Sequence, residues 1–127
     1  MELRLVLTVD DFDGAVAFYR DALGLPEHEA WESEGDARIA ILDVERATLE
    51  LVNEAQAAEI DRIEVGKRVA GPVRIAFRVP DSEATAARLV SAGAEQLAPA
   101  VTTPWNDRNV RLEAPDGMQL TLFTALE

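Results

Sequence analysis

Shifted by seventy positions, the chain falls on itself, and few sequence features restrict a fold as strongly. Val9 to Leu25 reads VDDFDGAVAFYRDALGL, and from Val79 the sequence runs VPDSEATAARLVSAGA. Val9 lands on Val79, Asp11 on Asp81, Ala17 on Ala87 and Ala22 on Ala92, with Gly24 and Gly93 closing the two segments one position out of step. The flanks follow: Arg4 on Arg74, Leu5 on Ile75, Arg38 on Arg108, Leu42 on Leu112 and Asp43 on Glu113. One inserted residue then brings ATLELV (Ala47 to Val52) onto MQLTLF (Met118 to Phe123). A repeat this long means two supersecondary modules rather than a solenoid. Residues 1–53 form the first, 72–127 the second, and 54–71 have no counterpart.

Within each module the periodicity names the elements. Glu2 to Val9 alternates, with Leu3, Leu5, Leu7 and Val9 on one side and Arg4, Val6 and Thr8 on the other, which predicts a strand. Asp11 stands at an N-cap position, and Phe12, Ala15, Val16, Tyr19 and Leu23 recur at helical spacing up to Gly24. Pro26 to Asp36 carries Glu27, Glu29, Glu32, Glu34 and Asp36 with no lysine or arginine, the pattern of a charge-protected edge strand. Arg38 to Val44 and Ala47 to Val52 follow as a hairpin-like pair. Residues 54–71 show only weak helical spacing, at Ala57, Ile60 and Ile63, and read as a linker with a helical turn or two. The second module repeats the order strand, helix, three strands. The expectation is an α+β fold of two tandem βαβββ modules, a helix on one face of each sheet and the other faces lining a cleft. The pleat assigns to that lining Arg4, Glu50, Arg74, Arg78, Thr121 and Phe123 among others.

Composition excludes several function classes. The chain of 127 residues has no cysteine, which removes disulfides, thiolate metal sites and cysteine nucleophiles together. A net charge of −12 with no clustered basic surface argues against nucleic acid. No run approaches the ~20 apolar residues of a membrane span, and the start lacks the form of a signal peptide, so a cytoplasmic protein is expected. With a single histidine, His28, no Ser-His-acid arrangement is visible.

The stretches LTVDDFDGAVAFYRDALGL, ATLELV, GPVRIAFRVPDSEATAARLVSAGA and VRLEAPDGMQLTLF resemble the vicinal oxygen chelate superfamily. That superfamily holds glyoxalase I, extradiol dioxygenases, fosfomycin-modifying enzymes and bleomycin-resistance proteins. The resemblance implies a homodimer in which a module of one chain completes the cleft with a module of the other. It also implies metal ligands, commonly histidine and glutamate, on the first and last strand of each module. Here those positions read Arg4, Glu50, Arg74 and Thr121, of which only Glu50 can ligate a metal. No metal and no cofactor are therefore expected.

The replaced ligand set has two readings: a salt-bridged network filling the vacated site, or surplus arginines that orient an anionic group of a bound molecule. With Arg4, Arg74 and Arg78 set against Glu50, the cleft floor favours a ligand with an anionic or strongly accepting end, although the overall acidity would suit a cation. Trp31 reads as a lid or a stacking platform, and Trp105, in the loop TPWNDR, as a ligand contact. His28 reads as a surface residue of the acidic edge. The first functional expectation is a metal-independent small-molecule binding protein of the glyoxalase and bleomycin-resistance type, in which a dimeric cleft holds a ligand and does no chemistry. The second is a metal-free lyase or isomerase with Glu50 as base and an arginine stabilising an enolate. A structural dimer without ligand and a metal-dependent glyoxalase-like enzyme are the further alternatives.

Overall fold

A computed structural model describes all residues, Met1–Glu127. The first module comprises β1 (Glu2–Thr8), α1 (Phe12–Val16), β2 (Glu27–Ser33), β3 (Ala37–Val44) and β4 (Ala47–Val52). After α2 (Glu54–Glu64), the second comprises β5 (Val73–Arg78), α3 (Ser82–Ser91), β6 (Glu95–Gln96), β7 (Val101–Thr102), β8 (Asp107–Glu113) and β9 (Gln119–Ala125). The strand expected at Ala94 to Ala98 is reduced to Glu95–Gln96, and beyond Pro99 a further short strand, Val101–Thr102, also pairs with β8. A proline cannot donate to the ladder, which accounts for the break.

All strands belong to one sheet in the order β2-β3-β4-β1-β5-β9-β8-β6, with β7 also on β8. The modules meet at β1 and β5, which pair antiparallel with Arg4 opposite Ala76 and Val6 opposite Arg74. Each module closes on a parallel pair, β1 with β4 and β5 with β9. The duplication is therefore visible in space as two similar half-sheets joined edge to edge.

The two helical segments start on the same device. The Asp11 carboxylate accepts from Gly14 N at 3.0 Å and the Asp81 carboxylate from Ala84 N at 3.0 Å. Gly24 and Gly93 take φ of +91° and +111°, the left-handed conformation that glycine adopts without a Cβ penalty after a helix. Between its cap and its glycine the first segment departs from expectation. Beyond Val16 the backbone widens into a π-helical turn over Ala17–Ala22, with Leu23 N donating to Phe18 O at 2.8 Å. The wider turn rotates the residues after it, so Leu23 is 63% exposed instead of facing the sheet.

Three cores result. Phe12 and Val16 pack on Ala40, Leu42, Leu49 and Leu51 of the first half-sheet. Ala86 packs with Val79, Val110, Leu112 and Leu122 on the second. The third lies on the opposite face, where Ala57 and Ile60 of α2 cover Val6, Ile39, Ile41 and Val52. The linker is thus no surface connection. Asn53 caps α2, accepting from Gln56 N at 2.9 Å and from Arg38 N at 3.1 Å. The helix then crosses the concave face from the first module to the second. No helix of the chain is long and apolar enough to cross a membrane.

Candidate functional site

The concave face holds a cavity of about 350 Å³ lined by both modules of the one chain. Arg4 from β1 and Glu50 from β4 come from the first module, while Arg74 from β5 and Thr121 and Phe123 from β9 come from the second. Strand pairing explains the convergence: Glu50 faces Val6 across the β1–β4 ladder, Val6 faces Arg74, and Ala76 faces Thr121. Side chains of one parity on four adjacent strands stand on one face, and the curl of the sheet brings them together. Trp31 from β2 and Trp105 from the loop before β8 line the same cavity from opposite ends of the sheet.

Arg78 departs from this grouping. It has the parity of Arg74 but occupies the last position of β5, opposite Glu2, where its side chain is exposed and outside the cavity lining. His28 is exposed, as expected on the acidic edge, and also borders the cavity, with Nδ1 at 3.6 Å from the Asp43 carboxylate. Residues of both modules of the one chain line the cavity.

The charges of the floor also differ from expectation, because α2 delivers carboxylates that the strand pattern alone does not show. Arg111, on β8 opposite Thr121, is fully buried. Its Nη1 donates to Asp61 Oδ1 at 2.7 Å and its Nη2 to Glu64 Oε1 at 3.1 Å. Thr121 Oγ1 donates to Glu64 Oε1 at 3.0 Å and accepts from Arg74 Nη1 at 2.8 Å. Asn109 Nδ2 donates to Glu64 Oε2 at 3.1 Å. Asp61 Oδ2 in turn accepts from the backbone of Val69 and Ala70 at 2.7 and 2.9 Å and from Arg68 Nη1 at 2.9 Å. Burial opposes the ionised form of Asp61, but the Ala70 and Val69 amides and the Arg111 guanidinium outweigh it and hold its carboxyl below the usual range. Burial draws Arg74 down, against the pull of the nearby Glu64.

Arg4 is likewise answered. Its Nε donates to Glu2 Oε2 at 2.6 Å, and its guanidinium lies 4.4 Å from the centre of the Phe123 ring. Glu50 is the exception. It is buried, its nearest cationic atom is Arg4 Nη1 at 3.9 Å, and no protein group donates a hydrogen bond to it. Burial raises its pKa, opposed only in part by Arg74 and Arg4.

The strand parity that nominated Thr121 also applies to its cross-strand neighbour Arg111, since Val110 and Leu112 face the other way. That signal was available in the sequence. The contribution of α2 was not, because the residues it buries include Gln56, Asp61 and Glu64, which leave no apolar stripe.

Paired βαβββ modules whose half-sheets curl around one cleft define the class of fold. The sequence matches the Glyoxalase/Bleomycin resistance protein/Dioxygenase superfamily over residues 3–122, and the chain belongs to it. Among solved structures, a hypothetical protein from Bacillus halodurans superposes with a TM-score of 0.72 at 17% identity, covering 98% of this chain and 93% of that one. Methylmalonyl-CoA epimerase from Mycobacterium tuberculosis gives 0.66 at 21% identity, with 99% and 87% covered. A variant of the Streptomyces coelicolor methylmalonyl-CoA epimerase, in complex with 2-nitronate-propionyl-CoA, gives 0.63 at 24% identity, with 99% and 96% covered. At these identities the likeness is one of fold. No functionally curated protein matches the sequence significantly.

Proposed function

We propose that the protein is a metal-independent small-molecule binding protein of the glyoxalase and bleomycin-resistance type, its ligand held in the concave cavity. One observation carries the reading. The four strand positions where the superfamily commonly places metal ligands hold Arg4, Glu50, Arg74 and Thr121, and the Arg74 guanidinium is spent on Thr121 at 2.8 Å. A guanidinium stays protonated and has no lone pair to give, so two of them oppose a divalent cation at that place. This donor set does not fit a metal. The cavity volume lies within the ~300–1,000 Å³ of small-molecule sites.

A homodimer is the expected assembly, each chain carrying a complete cavity. Native mass spectrometry of protein purified without chelator tests both statements at once. The expected spectrum is a dimer without metal, alone or with an organic adduct. A stoichiometric divalent metal would remove the reading.

Glu50 favours a second reading, a metal-free lyase or isomerase. A buried carboxylate with a raised pKa and no protein donor is suited to proton abstraction, and Arg4 beside it could stabilise an enolate. Under this reading Glu50→Gln abolishes turnover and keeps binding. A retained rate in that variant excludes Glu50 from the chemistry.

A further inference from the structure

On the two central strands, burial runs against hydrophobicity. Toward the concave face Val6, Arg74 and Ala76 are 3%, 7% and 4% exposed. On the convex face β1 presents Leu3, Leu5 and Leu7 and β5 presents Val73, Ile75 and Phe77, and none of these six large apolar side chains is fully buried. Leu3 is 39% exposed and Val73 36%. The helices leave this strip open by where they dock: α1 lies over β4, and α3 over β8 and β9, one on each side of the central pair. Leu5 and Leu7 touch the edge of the α1 core and Phe77 that of the α3 core, while Leu3, Val73 and Ile75 belong to neither. The patch continues sideways, since Leu3 pairs with Ala47 and Ala47 with Val44, itself 43% exposed. The centre of a sheet is where apolar side chains are normally covered most deeply, so a contiguous patch left open there marks a contact surface.

Two properties name its occupant. The first is charge. Every position of the patch is uncharged in a chain whose net charge is −12, so two copies can meet on this face without bringing like charges together. The second is symmetry. The seventy-residue shift carries Leu3, Leu5 and Leu7 onto Val73, Ile75 and Phe77, and the antiparallel register sets Leu3 opposite Phe77, Leu5 opposite Ile75 and Leu7 opposite Val73. The strip therefore repeats about a pseudo-two-fold axis between Leu5 and Ile75. A symmetric dimer needs a patch that complements itself, and a strip presenting the same apolar run in both directions meets that condition.

We infer that a second copy of this chain covers the strip, the two sheets packing back to back through β1 and β5 with each concave cavity opening away from the contact. This rests on the homodimer expected above and goes beyond it by naming the face. It also differs from the shared cleft that the family resemblance implies, because the contact lies on the side of the sheet opposite Arg4 and Arg74.

Sedimentation velocity tests the assignment on three proteins: the parent, the strip variant Leu3→Lys with Val73→Lys, and the rim variant Trp31→Lys with Trp105→Lys. The two tryptophans are each 39% exposed, like Leu3, and lie at the mouth of the cavity, so the rim variant is a control matched in exposure. The parent and the rim variant should sediment as dimers. The strip variant should be a folded monomer, its dimer weakened at least about a hundredfold. Leu3→Ser alone, which removes apolar area without adding charge, should weaken the dimer about tenfold. An unchanged dimer in the strip variant or in Leu3→Ser would overturn the assigned face and leave the homodimer standing. Dissociation of the rim variant with the strip variant intact would overturn it in favour of a shared cleft. A parent that stays monomeric up to about 100 μM would overturn both the inference and the homodimer, and would leave metal-independent ligand binding untouched.

Discussion

Arg111 Nη1 donates to Asp61 Oδ1 at 2.7 Å, and this contact joins the second module to the helix that leaves the first. Both side chains are excluded from water, at 0% and 1% exposure. A buried pair of this kind contributes little net stability over an apolar replacement, yet removing one partner strands the other charge. Arg111→Met is therefore expected to cost about 3–5 kcal/mol, read as a lower urea midpoint with an unchanged slope. The double variant with Asp61→Asn should recover part of that loss. Independent, additive losses would mean that the two groups do not act as a pair.

Asp61 also sets an acid limb. Its folded pKa lies below the ordinary value of 3.8, so its contribution to stability is complete above that value and is lost as pH falls through the lowered one. Asp61→Asn should be less stable than the parent at neutral pH and should lose less on acidification. Urea midpoints measured near neutral pH and in steps below the ordinary carboxylate range would show the two curves converging. Parallel curves would remove Asp61 as the group responsible.

Asn53 is expected to matter more than an ordinary cap. Its Oδ1 serves both Gln56 N, in the first turn of α2, and Arg38 N, on β3. Asn53→Ala removes the cap and leaves a strand amide short of an acceptor, for a loss of about 1–3 kcal/mol. Hydrogen exchange should locate that loss in α2 and in the amide of Arg38. An effect confined to the first turn of α2 would mean that the β3 contact carries no weight.

Much of the cavity is legible in the chain because a duplication and a period of two are both visible without coordinates. They place Arg4, Glu50, Arg74 and Thr121 on one face, and the pairing of β1 with β5 brings that face together. Strand parity does not encode where a strand ends, so Arg78 shares the parity of Arg74 and still lies outside the lining. Helix periodicity fails for a different reason. It detects apolar stripes, and α2 docks with Ala57 and Ile60 on one half-sheet but with Asp61 and Glu64 on the other. A helix buried through charges that pair with strand arginines reads as a polar linker until its partners are known. This is why Asp61 and Glu64, the partners of Arg111, are absent from the floor as read from the sequence.

Glu50 provides the opposite pH dependence to Asp61. Its folded pKa lies above the ordinary value of 4.5, chiefly through burial, so the folded state holds a proton that the unfolded state has released. The contribution is complete below 4.5 and is lost as pH rises through the raised value. Above the raised value the ionised carboxylate is a burden that Arg4, at 3.9 Å, relieves only in part. Glu50→Gln keeps the shape and removes the titration. It is expected to be more stable than the parent near neutral pH, on the order of 1–3 kcal/mol, and equal to it below the ordinary value. A series of urea midpoints from acid to neutral pH should show the parent declining and the variant lacking that component. If the variant is instead less stable at neutral pH, the arginines stabilise the charge more than burial opposes it. Glu50 would then be a member of the ion-pair network rather than the unmet acceptor of the cavity.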